Sequence, residues 1–150
     1  MRRVLVAMDE SVESVRAARA GVDLFGSDPE FLLVNVARVP VAWAGGFGDV
    51  DALPAFDWVA LTEQTDRAAE VELRASAEEA GIPAAEVLVE HGETVGVISA
   101  AAEEHDVDVI VVGSHDKGLL VRLFSPSVAD RLVHTTHRPV LVVSGTPIAP

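Results

Sequence analysis

The 150-residue chain contains no cysteine and no tyrosine, and only 5% of its residues are aromatic. Without cysteine there is no disulfide framework, thiolate metal site or thiol nucleophile, so the fold must come from packing. A chain of this length buries roughly 68–70% of the surface its unfolded form exposes, enough for one core without staples. Lysine is almost missing as well: Lys117 is the single lysine among 11 basic residues, set against 24 acidic ones for a formal charge of −13. Nucleic-acid affinity rests on Lys and Arg displacing counterions, so a surface this acidic excludes nucleic acid as an expected partner. Asp and Glu run along the whole chain rather than forming a tail. That pattern fits an acidic surface adapted to concentrated salt, a halophilic trait, and equally fits GC-rich codon usage. No apolar run approaches the about 20 residues of a membrane span. The run Val4 to Met8 behind Met1-Arg2-Arg3 is too short for a signal-peptide core. The expectation is a cytoplasmic protein with no membrane partner.

What is present is an apolar-rich chain, 49% hydrophobic, whose patterns alternate. Val4-Leu5-Val6-Ala7-Met8 is a continuous apolar run, as expected of a strand covered on both faces. Ser11 can cap a helix carrying Val12, Val15, Ala18, Val22 and Phe25, with Gly26 as its stop. Phe31 to Val36 repeats the strand signal. A helix begins near Asp57 and runs to Gly81, and Pro83 prevents its continuation. Val87 to Val89 reads as a third strand, Thr94 to about His105 as a third helix and Val107 to Val112 as a fourth strand. Ser127 to about Thr136 reads as a last helix and Pro139 to Val143 as a fifth strand. No linker, repeat or low-complexity stretch divides the sequence, so residues 1–150 are read as one domain with a long loop at 38–57 and a short tail at 144–150. The order predicts an α/β fold: an open five-stranded parallel sheet with helices on both faces, Rossmann-like or flavodoxin-like. Ligands of such sheets sit outside the carboxyl ends of the strands where the strand order reverses, which directs attention to the loops after Met8 and Val112.

After the fourth strand the chain reads Gly113-Ser114-His115-Asp116-Lys117-Gly118, with Ser125-Pro126-Ser127-Val128 opening the last helix. A strand-loop-helix of this kind offers backbone N–H groups and a helix dipole to a phosphate, with Lys117, Arg122 and protonated His115 as cations. Asp9 adds an acceptor for a base amino group or a ribose hydroxyl. An ordinary βα loop rich in turn residues explains the same letters. Ser114-His115-Asp116 spells a triad, but adjacent loop residues point in different directions and cannot form the nucleophile-base-orienter chain. His134 and His137 near a helix C-terminus complement the negative end of its dipole more readily than they hold a metal. Asp9-Glu10 suggests a receiver-type acidic pocket, yet the third strand ends in Glu90-His91 and the fifth holds no lysine. The loop at 38–57 carries Trp43, Phe47 and Phe56, with Trp58 just beyond; this cluster either covers the domain's own core or forms a lid or partner surface.

The order of elements, together with Val4-Leu5-Val6-Ala7-Met8-Asp9-Glu10-Ser11, Val111-Val112-Gly113-Ser114-His115-Asp116-Lys117 and Arg138-Pro139-Val140-Leu141-Val142-Val143, resembles the universal stress protein family over nearly the full chain. The resemblance implies an adenine nucleotide alpha hydrolase-like fold and a stress-response binding and signalling module rather than a committed enzyme. The pattern of ATP-binding members is Gly, two residues, Gly, nine residues, Gly, then Ser or Thr. Gly113 and Ser127 match it, while Asp116 and Pro126 stand where the second and third glycines would be. By the same resemblance Asp9 and Val36 border adenine and ribose, and His115 and Val128 line the phosphate side; Ala7 and Lys117 are also placed in the expected cofactor-binding set.

The two substitutions have physical consequences. Asp116 tolerates the left-handed backbone that glycine adopts freely, but its carboxylate faces an anionic polyphosphate unless a divalent cation such as Mg²⁺ bridges them. Pro126 has no N–H to donate. With Ser125 as N-cap, Pro126 falls at the first helical position and leaves the N–H groups of Ser127 and Val128 free. The expected cofactor is therefore an adenine nucleotide bound weakly or lost, with AMP or ADP accommodated more easily than ATP. Two alternatives stay open: a slow ATPase or phosphotransfer protein with Ser127 or Ser114 near the γ-phosphate, and a nucleotide-free interaction protein. The resemblance also implies a homodimer through the strand Val140–Val143, an apolar sheet edge otherwise unprotected.

Overall fold

The computed structural model describes residues 2–9, 12–37, 58–82, 85–114 and 128–144. Its elements alternate as β1 (Arg3–Ala7), α1 (Val12–Phe25), β2 (Glu30–Ala37), α2 (Trp58–Ala80), β3 (Glu86–His91), α3 (Thr94–Glu104), β4 (Val109–Ser114), α4 (Val128–Thr135) and β5 (Val140–Ser144). The five strands form one sheet in the order β3-β2-β1-β4-β5, and every neighbouring pair is parallel. This is the doubly wound α/β fold that the alternation predicts.

The apolar runs become strands because both sides of them are covered. Side chains alternate across the pleat, so Val4, Val6, Leu33 and Val111 face Ala17 and Ala18 of α1 and Leu73 and Ala77 of α2. Leu5, Val34, Ile110 and Val112 face Val95, Ile98 and Ala102 of α3 and Leu132 of α4. Each large apolar side chain buried this way contributes about 1.5–3 kcal/mol against exposure. The central strand β1 and its two neighbours carry the most deeply buried residues of the sheet, with Leu5, Val6, Leu33, Ile110 and Val111 at 0% exposure.

Gly26 and Gly81 follow α1 and α2 with φ of +76° and +80°, the left-handed stop that a residue with a Cβ adopts at a cost. β4 starts two residues later than the apolar run suggests. Asp106 adopts φ +48° and the Val107 N–H returns to the Ala102 carbonyl at 3.0 Å, so Val107 closes α3 although its side chain is fully buried. Asp108 then joins β1 from outside the strand: its carboxylate accepts from the Arg3 N–H at 2.8 Å and its own N–H donates to the Arg3 carbonyl at 2.9 Å.

The connection from β1 leads to β2 on one side of the sheet, and the connection from β3 crosses back to β4 on the other. β1 and β4 are thus the switch point, and the register Val6 to Val111 sets their carboxyl ends side by side. The loop bearing Trp43, Phe47 and Phe56, the Ser11 cap and the tail past Ser144 lie outside the described residues. Among the described residues no helix is long and apolar enough to cross a membrane.

Candidate functional site

The end of β1 is fixed from two directions. Toward β2, the Met8 N–H donates to the Val34 carbonyl at 2.9 Å, and Asn35 Nδ2 donates to the Met8 carbonyl at 2.9 Å. Toward α1, Ser14 Oγ donates to the Asp9 carbonyl at 2.8 Å. Ser14 is 4% exposed, a hydroxyl held inside by this bond, as a buried polar group requires. The end of β4 comes equally close: a Cβ on Gly113 would stand 2.9 Å from the Glu13 carbonyl oxygen and 3.2 Å from its carbon. The absent side chain lets the first turn of α1 lie against β4, so β1, α1 and β4 meet at one junction.

Over this junction opens a cavity of about 170 Å³. Ala7, Asp9 and Ser14 line it from β1 and α1, Asn35 and Val36 from β2, Gly113 from the end of β4, Thr94 and Ile98 from α3, and Val128 from α4. The structure therefore brings together Ala7, Asp9, Val36, Gly113 and Val128 of the residues expected from the sequence. His115, Asp116, Lys117, Pro126 and Ser127 lie outside the described residues. Sequence reasoning missed Ser14, Asn35, Thr94 and Ile98. The signal for Asn35 was present, as a polar letter inside the apolar run of β2; Ser14, Thr94 and Ile98 become lining only once the helices are docked.

The wall opposite β1 is held by charge. Glu93 caps α3, its carboxylate accepting from Gly96 N–H at 2.7 Å and Val95 N–H at 3.3 Å. Arg131 of α4 donates to the same carboxylate at 2.7 Å. The Gly96 N–H first, and Arg131 after it, hold the Glu93 carboxyl below its ordinary value; donors to the charged form favour that form. One carboxylate thereby joins the starts of two helices whose residues line the cavity.

The described lining offers one carboxylate (Asp9), two hydroxyls, one amide and apolar surface from Val36, Ile98 and Val128. That set suits a flat, largely apolar body with hydrogen-bonding edges. Among the described residues no group of three or more His, Cys, Asp or Glu is placed to hold a metal ion. His134 turns its Nδ1 to the Asp130 carbonyl at 2.8 Å, a contact within the last turn of α4.

A doubly wound parallel sheet with a cavity at its switch point is the α/β architecture in which such open sheets place their ligands. Residues 1–144 match the universal stress protein family, and the chain belongs to that family. No curated protein sequence matches it. Similar solved structures include a universal stress protein in complex with cAMP, 21% identical over 97% of this chain and 98% of that one, with a TM-score of 0.66. Universal stress protein UspA from Lactobacillus plantarum is 19% identical over 95% of this chain and 97% of its own, with a TM-score of 0.67. A family protein from Arabidopsis thaliana with AMP bound is 18% identical over 100% of this chain and 98% of its own, with a TM-score of 0.63. At these identities the likeness is one of fold.

Proposed function

We propose that this chain is an adenine nucleotide-binding module of the stress response, with its site in the cavity between the carboxyl ends of β1 and β4. The observation that carries the reading is the convergence there of Ala7, Asp9, Val36, Gly113 and Val128 from separate elements, positions that the family pattern gives to the nucleotide. Asp9 accepts from the base amino group, Val36 covers the base and ribose, and the start of α4 at Val128 presents N–H groups to the phosphates. Proteins of the same fold with cAMP and with AMP bound support the choice of ligand. Asp116 and Pro126 weaken the phosphate side and favour AMP or ADP; Mg²⁺ beside Asp116 restores part of the affinity for ATP. The module binds and signals, and no hydrolysis is assigned to it.

The same reading includes a homodimer. β5 lies at the sheet edge next to β4, and its Val142 is 42% exposed, an apolar edge suited to a second copy. The test is to denature freshly purified protein, identify released AMP, ADP and ATP by mass spectrometry, and titrate each calorimetrically with and without Mg²⁺. Bound or titratable AMP or ADP is the expected result; neither released nucleotide nor heat overturns the reading. Light scattering at micromolar concentration should give a dimer mass, and a monomer mass refutes the edge pairing.

A further inference from the structure

Asp9 and Asn35 border a second space as well as the first. On the far side of them, between the ends of β1 and β2 and the helix α2, lies a chamber of about 410 Å³ lined by Ala69, Glu72, Leu73, Ala75 and Ser76. The first cavity, about 170 Å³, is smaller than the roughly 300–1,000 Å³ typical of ligand pockets, and the two spaces share Asp9 and Asn35 as lining. Its origin is visible in the helix. Positions 69, 72, 73 and 76 share one face of α2; Leu73 reaches the core at 4% exposure, whereas alanine and serine at 69 and 76 stop short and leave room. A gap with only a packing role would be lined by apolar groups. This one is rimmed by the Asp9 and Glu72 carboxylates, the Ser76 hydroxyl and the Asn35 amide.

That rim fixes the chemistry of an occupant. Among the described residues two carboxylates and no basic side chain line the chamber, so a phosphate beside them would meet like charge, while an ammonium group would meet charge-assisted acceptors. A nucleotide in the first cavity must then point its phosphates toward β4 and α4 and its base toward α2. We infer that the chamber extends the nucleotide site and accepts an amine-bearing substituent on the amino group of the adenine, with Glu72 as the specificity-determining residue. The inference rests on the nucleotide reading above. A base amino group at Asp9 directs its substituent across the Asp9–Asn35 boundary, and the Asn35 bond to Met8 keeps that boundary in place.

The experiment is a calorimetric titration at low ionic strength of AMP, N6-(6-aminohexyl)-AMP and the neutral N6-hexyl-AMP into the wild type, Glu72→Gln and Ala69→Phe. In the wild type the aminohexyl compound should bind about threefold tighter than the hexyl one at low ionic strength, the margin of one contact with the exposed Glu72 carboxylate. Glu72→Gln should remove that margin and leave AMP affinity unchanged. Ala69→Phe, which fills the chamber, should weaken both substituted compounds and spare AMP. AMP binding with no advantage for the aminohexyl arm, or loss of binding by both arms in the wild type, overturns the chamber and leaves the nucleotide reading standing. No binding of any of the three overturns the nucleotide reading and the chamber with it.

Discussion

Gly113 is a position where one atom decides the geometry of the site. A Cβ there meets Glu13 backbone at 2.9 Å, and backbone inside a helix has no rotamer with which to yield. Gly113→Ala should therefore push the first turn of α1 away from β4 and destabilise the protein by about 1–3 kcal/mol, the usual cost of overpacking, read as a lower urea midpoint at unchanged slope. It should also weaken nucleotide binding, because the turn that moves carries Ser14 and, through its bond, the Asp9 carbonyl. Ser14→Ala tests that bond alone: losing a buried hydroxyl's contact costs about 1 kcal/mol, with a loss of AMP affinity in calorimetry larger than that seen for an alanine at an exposed position of the same helix such as Arg16. Equal losses at the two positions would show that Ser14 does not position Asp9. Neither role was legible in the sequence. In the sequence Gly113 is one member of a glycine pattern, which points to a ligand and says nothing of the helix behind it. Ser14 was one more serine after a strand until packing showed which way it faces.

At the scale of elements, α3 and α4 are joined through a single carboxylate. Glu93 accepts from Gly96 and Val95 N–H and from Arg131, and its carboxyl sits below the ordinary 4.5. A depressed folded value means that the charged form is the one the fold favours, so the contribution is complete above pH 4.5 and is lost as pH falls through the lower folded value. Glu93→Gln should accordingly melt below the wild type at neutral pH, with the gap closing as pH falls below 4.5 and the wild-type carboxyl itself protonates. A gap that stays constant with pH would mean the capping geometry, not the charge, holds the helices. At the far end of α3, Arg138 donates to Glu103 at 3.0 Å and lowers that carboxyl in the same way, so the comparison requires Glu103 intact in both proteins. Most elements were legible because apolar runs and helical spacing survive in the letters; β1, α1 and α2 agree with expectation to within a residue or two. The cap was not, since glutamate is a first-turn residue more often than an N-cap, and its role depends on Arg131 arriving from a helix 38 positions further on. The start of β4 differs from the apolar run for a related reason: Val107 is apolar and buried, but the backbone there is engaged in ending a helix.

Across the whole molecule the dominant quantity is the charge of −13. Exposed carboxylates spread along the chain repel one another when the chain is compact, and unfolding relieves them by moving them apart. Salt shortens the range of that repulsion, from about 10 Å at 0.1 M to about 3 Å at 1 M ionic strength. It also weakens surface ion pairs such as Arg3–Glu30 and Arg74–Glu70, at 2.9 and 2.8 Å, but exposed pairs are worth only about 0–1 kcal/mol each and are outnumbered by unlike-count charge, 24 acidic against 11 basic. The repulsive part should win. The melting temperature is therefore expected to rise with KCl, a salt chosen because sulfate or phosphate would strengthen apolar burial in any protein. Replacing the exposed Asp23, Glu63, Glu78 and Glu104 by their amides should raise the melting temperature at low salt and flatten its dependence on KCl. A wild-type melting temperature that does not rise with KCl would remove self-repulsion, and with it salt adaptation, as the reason for so acidic a surface; a rise that the amide variant keeps in full would assign the effect to something other than these carboxylates.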